Sequence, residues 1–165
     1  MSNYHRYFKP LALGLLLSTP VVFAADVDVK WQEPDTFSDL RASSTLQSRF
    51  EETVLADLEQ HFRESAAAAL PDNQHLSLTI TDVDLAGYID YFQPRNPFGM
   101  RLVRNVDFPR IKLNYALKDE QGNILKEGES TLKDLGFQTP AFYVRNSDPL
   151  KYEKRMIDRW INSSF

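Results

Sequence analysis

The chain has 165 residues, 23 acids against 19 Lys and Arg, and no cysteine. That length suits one domain of ordinary size with a core of its own, and the missing cysteines exclude disulfides and a lipid-modified cysteine. An acidic, intermixed charge distribution argues against nucleic acid as a partner.

Residues 1–24 have the layout of a cleavable secretory signal. Arg6 and Lys9 precede an apolar run from Leu11 to Phe23 that ends in Ala24 and Ala25. Cleavage after Ala24 places Val22 and Ala24 at the two small-residue positions, whereas cleavage after Ala25 puts bulky Phe23 there. The apolar run is shorter than the ~20 residues of a spanning helix, and Pro20 interrupts it. The expected product is residues 25–165 as a single domain in the periplasm, not a lipoprotein, with no later membrane span. Arg6 and Lys9 leave with the signal, so 17 cations face all 23 acids and the net charge becomes −6.

Val27, Val29 and Trp31 alternate with polar residues and predict a short strand that Pro34 ends. Ser44 with Gln47 suggests a capping box for a helix over about 45–70, stopped by Pro71. Its apolar face carries Leu46, Phe50, Val54, Leu55, Leu58, Phe62 and Ala66. Residues 75–85 predict a second strand. Leu76, Leu78 and Ile80 hold one parity and Val83 and Leu85 the other, which demands a bulge or a change of face. Residues 88–109 are irregular, with a short edge strand expected somewhere in 100–106. Residues 110–118, a turn containing Gly122 and residues 124–132 predict a hairpin. After a second irregular segment, Asp148 and Pro149 open a last helix that runs to about Ile161. The order predicts an α+β domain: a mainly antiparallel sheet of about 4–5 strands with the long helix and the C-terminal helix packed on one face.

The segments FSDLR (37–41), TDVDLAG (81–87), PRIKLNYALKDEQGNILKEGESTLKDLGF (109–137) and DPLKYEKRMIDRW (148–160) occur in this order. Together they resemble the exported proteobacterial family called domain of unknown function 3016. The resemblance implies an exported single-domain protein and no chemistry.

Three groups of residues are candidates for function. Asp82 and Asp84 face the core if their strand keeps its phase, where two carboxylates can bind a cation or share acid–base work. A bulge near Thr81 or Asp82 turns them outward instead, and pairing with arginines is a third option. Glu153 interrupts the apolar stripe of Leu150, Ile157, Trp160 and Ile161, so it is expected to form a structural ion pair with Arg110, Arg104 or Arg41. Tyr88, Tyr91, Phe92, Phe98, Phe137, Phe142 and Tyr143 form candidate binding loops, or else pin those loops to the core.

No cofactor is implied. His61 and His75 lack a second histidine at ligand spacing, no transition-metal site is expected, and no Gly-x-Ser-x-Gly elbow appears. The leading expectation is a non-enzymatic module that binds an envelope protein or small ligand through the aromatic loops. The alternatives are a hydrolase or metal-dependent enzyme using Asp82, Asp84 or Glu153, and a structural oligomeric subunit.

Overall fold

Two parallel strands begin the fold. β1 (Asp26–Trp31) and β2 (His75–Asp84) run side by side, with Val27 beside Leu76 and Val29 beside Leu78. Such a pair needs a crossover, and α1 (Gln47–Ala69) supplies it. The computed structural model of the chain describes residues 25–43, 46–92, 96, 99–138 and 146–165. Past β2 come β3 (Tyr88–Asp90), β4 (Met100–Leu102), β5 (Arg110–Lys118), β6 (Ile124–Lys133) and α2 (Lys151–Ser164).

The main sheet has the order β1-β2-β5-β6 and is antiparallel except for its first pair. With two helices on it, this is the α+β fold that the sequence predicts. The β5–β6 turn closes as expected: Gly122 takes a φ of 83° and the Asp119 N–H donates to the Asn123 carbonyl at 3.0 Å. Among the described residues β3 and β4 pair only with each other, so residues 100–102 form a separate hairpin and not an edge of the main sheet. The cause is Gly87, whose φ of 91° turns the chain off β2, and whose missing side chain lets the Leu102 carbonyl approach.

One face of the sheet carries the core. Leu76, Leu78, Ile80, Val83, Ile111 and Leu113 pack under Val54, Leu58, Phe62 and Ala66 of α1 and Met156, Ile157 and Ile161 of α2. Each large apolar side chain taken from water this way contributes about 1.5–3 kcal/mol. Trp160 closes one side, with its ring centroid 5.6 Å from Tyr115 and 6.5 Å from Phe62. Polar groups register the two helices. Lys154 reaches Asp57 at 2.8 Å and Asp148 at 2.7 Å, and His61 reaches Asp158 at 2.8 Å.

The helix starts differ from expectation. Leu46 is the N-cap of α1 and is exposed, while Gln47 reaches back to accept from the Ala42 N–H and to donate to the Leu40 carbonyl. Ser44 lies outside the described residues. The last helix starts two residues later than read, yet the Asp148 carboxylate still accepts from the Leu150 N–H at 2.8 Å.

Candidate functional site

The phase slip in β2 is a bulge. Ile80 pairs with Leu113, but the next pair is Asp82 with Lys112, which leaves Thr81 as the extra residue. The shift puts Val83 and Leu85 into the core and turns Asp82 and Asp84 to the other face. Of the openings available to these carboxylates, the in-phase arrangement with both acids toward the core does not occur.

Each turned carboxylate meets a partner. Asp82 accepts from the Ser38 N–H at 2.8 Å and the Ser38 hydroxyl at 2.9 Å, with the Lys112 ammonium at 3.3 Å. Burial pushes its carboxyl up, but those donors outweigh burial and hold it below the ordinary range. Asp84 pairs with Arg110 at 2.8 Å. There desolvation prevails over the guanidinium and the Asp84 carboxyl is raised.

Asp39 completes the cluster. After β1 ends, the chain returns so that the Asp39 N–H donates to the Val83 carbonyl and the Leu85 N–H donates to the Asp39 carbonyl, at 3.0 and 3.1 Å. Arg101 of β4 grips both Asp39 oxygens, at 2.9 and 3.2 Å, and also donates to the carbonyls of Ala86 and Arg41. This two-pronged clamp fixes the β3–β4 hairpin against the end of β2. Sequence reasoning missed both residues, because 62 positions separate them and no local pattern marks the pair.

Glu153 is 2% exposed, as its place in the apolar stripe required. Its partner is not an arginine. Oε1 accepts from the Ala86 N–H at 2.7 Å, and Oε2 is buried with no hydrogen-bond partner among the described residues. Two of the three expected arginines are engaged elsewhere: Arg110 pairs with Asp84, and Arg104 pairs with Asp107 at 2.6 Å and covers the Tyr88 ring. Desolvation raises the Glu153 carboxyl above its ordinary value. A second buried acid, Asp134, does find arginines: Arg155 at 2.7 Å and Arg159 at 3.0 Å.

The aromatic candidates divide. Phe137 is buried edge-on to Tyr152, with centroids 4.8 Å apart, and serves as core. Tyr88, with Arg104 over its ring, is half-buried. Tyr91 is 55% exposed and Phe92 94%. Phe98, Phe142 and Tyr143 lie outside the described residues. Ser38, Asp39, Arg41, Tyr88, Ile89 and Tyr91 line an open cleft of about 320 Å³ at the foot of the hairpin. Among the described residues, no group of three or more His, Asp or Glu is placed to hold a metal ion, and no helix is long and apolar enough to cross a membrane.

Residues 25–163 match the family model described as "Protein of unknown function (DUF3016)". No curated protein and no solved structure matches the chain.

Proposed function

The chain belongs to the DUF3016 family, whose description carries no activity, and from that premise we propose an exported periplasmic module that docks an envelope protein through its β3–β4 hairpin. The observation that carries this reading is where apolar surface is left over. Of nine large apolar side chains exposed among the described residues, five belong to the hairpin and its flanks: Tyr91, Phe92, Met100, Val103 and Val106. Aromatic side chains beside arginines are the residue types that dominate protein interfaces. The Arg101–Asp39 clamp supports the reading further, because it holds the hairpin in place before any partner arrives.

Chemistry at Asp82 and Asp84 has less support. Both carboxylates are taken up by Ser38, Lys112 and Arg110. A small ligand also fits less well than a protein, since the cleft beside Tyr91 is small and its rim includes Ser38, Asp39 and Arg41.

Export is part of the proposal, with cleavage after Ala24 and no lipid anchor. Its support is the charged, apolar and small-residue order of residues 1–24, together with a family match that starts at residue 25. Cell fractionation with N-terminal sequencing tests it: a periplasmic product that begins at Ala25 is expected, and a cytoplasmic product that keeps Met1 would refute it. For docking, cross-linked partners are compared between the wild type and a Tyr91→Ser, Phe92→Ser variant. A partner retained equally by both proteins would rule out the hairpin as the docking surface.

A further inference from the structure

At the opposite end of the sheet, three polar side chains stand in line. The Asp26 carboxylate (Oδ2) lies 2.8 Å from His75 Nδ1, and His75 Nε2 lies 3.0 Å from the Ser77 hydroxyl. The backbone dictates this arrangement. Asp26 and His75 are register partners across the parallel β1–β2 pair, and His75 and Ser77, two apart on one strand, share a face. That face is turned away from the helices, since the intervening Leu76 belongs to the core.

The line has a chemical direction. An ionised carboxylate only accepts, so the imidazole proton sits on Nδ1, facing Asp26. Nε2 is then a lone pair aimed at the Ser77 hydroxyl. This is the order of groups by which a serine is activated for acyl transfer: carboxylate, imidazole, hydroxyl. The surroundings suit attack from outside. The register partner of Ser77 on β5 is Ala116, a small residue, with Asn114 and Lys118 two positions to either side on the same face. On β1 the register partner of Ser77 is Asp28, so a further carboxylate shares this face and adds to the pull on a cationic substituent. Beside His75 opens a cleft of about 490 Å³, lined also by Asp26, Asp72, Asn73, Gln74, Asp119 and Glu120. Its charged lining apart from His75 is wholly anionic, which selects for a cationic substituent.

We propose that Asp26, His75 and Ser77 form a serine nucleophile that takes esters bearing an ammonium group, independently of the docking hairpin. Ser77 Oγ bonds to the ester carbonyl carbon while its proton passes to His75 Nε2. The bond from that carbon to the leaving alcohol oxygen then breaks, and the alcohol departs with the proton from Nε2. Water, giving its proton to the same nitrogen, cleaves the acyl–Ser77 bond to release the acid, and the proton returns to Ser77. Asp26 is 78% exposed, so it orients the ring without the leverage of a buried carboxylate. A slow, accessible nucleophile is therefore expected.

The test is covalent labelling of the purified protein with a biotinylated fluorophosphonate, mapped by peptide mass spectrometry, with acetylthiocholine as competitor and substrate. Labelling on Ser77 is expected, lost in Ser77→Ala and slowed roughly 100-fold in His75→Gln, the scale of a lost general base. Asp26→Asn should slow it only a few-fold. Acetylthiocholine should protect Ser77 and be hydrolysed faster than neutral 4-nitrophenyl acetate. All three side chains face away from the core, so circular dichroism of the variants should equal that of wild type. No label on Ser77, or label that persists unchanged in a folded His75→Gln protein, would overturn the proposal. Equal hydrolysis of the two esters would overturn the assigned substrate class.

Discussion

The two ends of the sheet use the same residue types in opposite ways. At the hairpin end, Asp39, Asp82, Asp84 and Asp134 are drawn into a shell of Arg101, Lys112, Arg110, Arg155 and Arg159. At the other end, Asp26, Asp72, Asp119 and Glu120 border an open cleft, and the interior ends at their backbone. The difference lies in what the backbone does. Beyond the bulge, the chain leaves the sheet at Gly87 and its polar groups need side-chain clamps, so charge there serves to hold structure. At the start of β2 the ladder with β1 and β5 is complete, so polar side chains are free to interact with one another and with solvent.

Substitutions should expose this contrast. The largest effect is expected from Asp134→Ala, which removes the carboxylate that faces Arg155, a side chain only 13% exposed. A loss of about 3 kcal/mol should appear in urea unfolding, and the hairpin end would not be a structural shell if the midpoint stayed put. Gly87→Ala comes next. It combines a φ of 91° with a Cβ that would collide with the Leu102 carbonyl oxygen, a cost of about 2 kcal/mol. Amide exchange should show the opening concentrated in β3 and β4. Asp82→Asn should cost about 1 kcal/mol, since one acceptor for Ser38 survives.

The same end should give two opposed pH dependences. Asp82 has a folded carboxyl held below its ordinary 3.8, so its contribution is complete above that pH and is lost as acid titrates the folded group. Glu153 is raised above its ordinary 4.5. Its contribution is complete below that value and fades as pH climbs through the folded titration. Glu153→Gln should therefore match wild type near pH 4 and melt higher at pH 8, and identical melting curves at pH 8 would show that Glu153 is stabilised by something other than protonation. The smallest effects belong to the open end. Asp26→Asn and Ser77→Ala should change stability by less than about 0.5 kcal/mol, as expected of surface sites. A larger loss would make the Asp26–His75–Ser77 line part of the fold's framework.

Local chemistry made much of this molecule legible in advance. Alternation in β2 and β5, the glycine turn before β6, the 3.6-residue stripe of α1 from Phe50 to Ala66 and the parity conflict in residues 75–85 all involve neighbours in sequence, and each is realised, whereas Leu46, read as the start of that stripe, stands exposed ahead of the helix. Glu153 was legible as a buried acid for the same reason, because helical spacing alone set its face. Its partner was not. Which charge meets which depends on how loops bring distant residues together, and Arg110 and Arg104 are committed to Asp84 and Asp107. The Arg101–Asp39 clamp and the Asp26–His75–Ser77 line likewise exist only because the fold sets residues 62 and 49 positions apart side by side, the first through the placement of the hairpin and the second through strand register. The sequence by itself determined the periodic elements and the identity of the core, since those follow from local backbone geometry and the cost of exposing apolar surface. Only the tertiary structure decided the pairing of charges, since hydrogen bonds and ion pairs act over a few ångströms that chain distance does not predict.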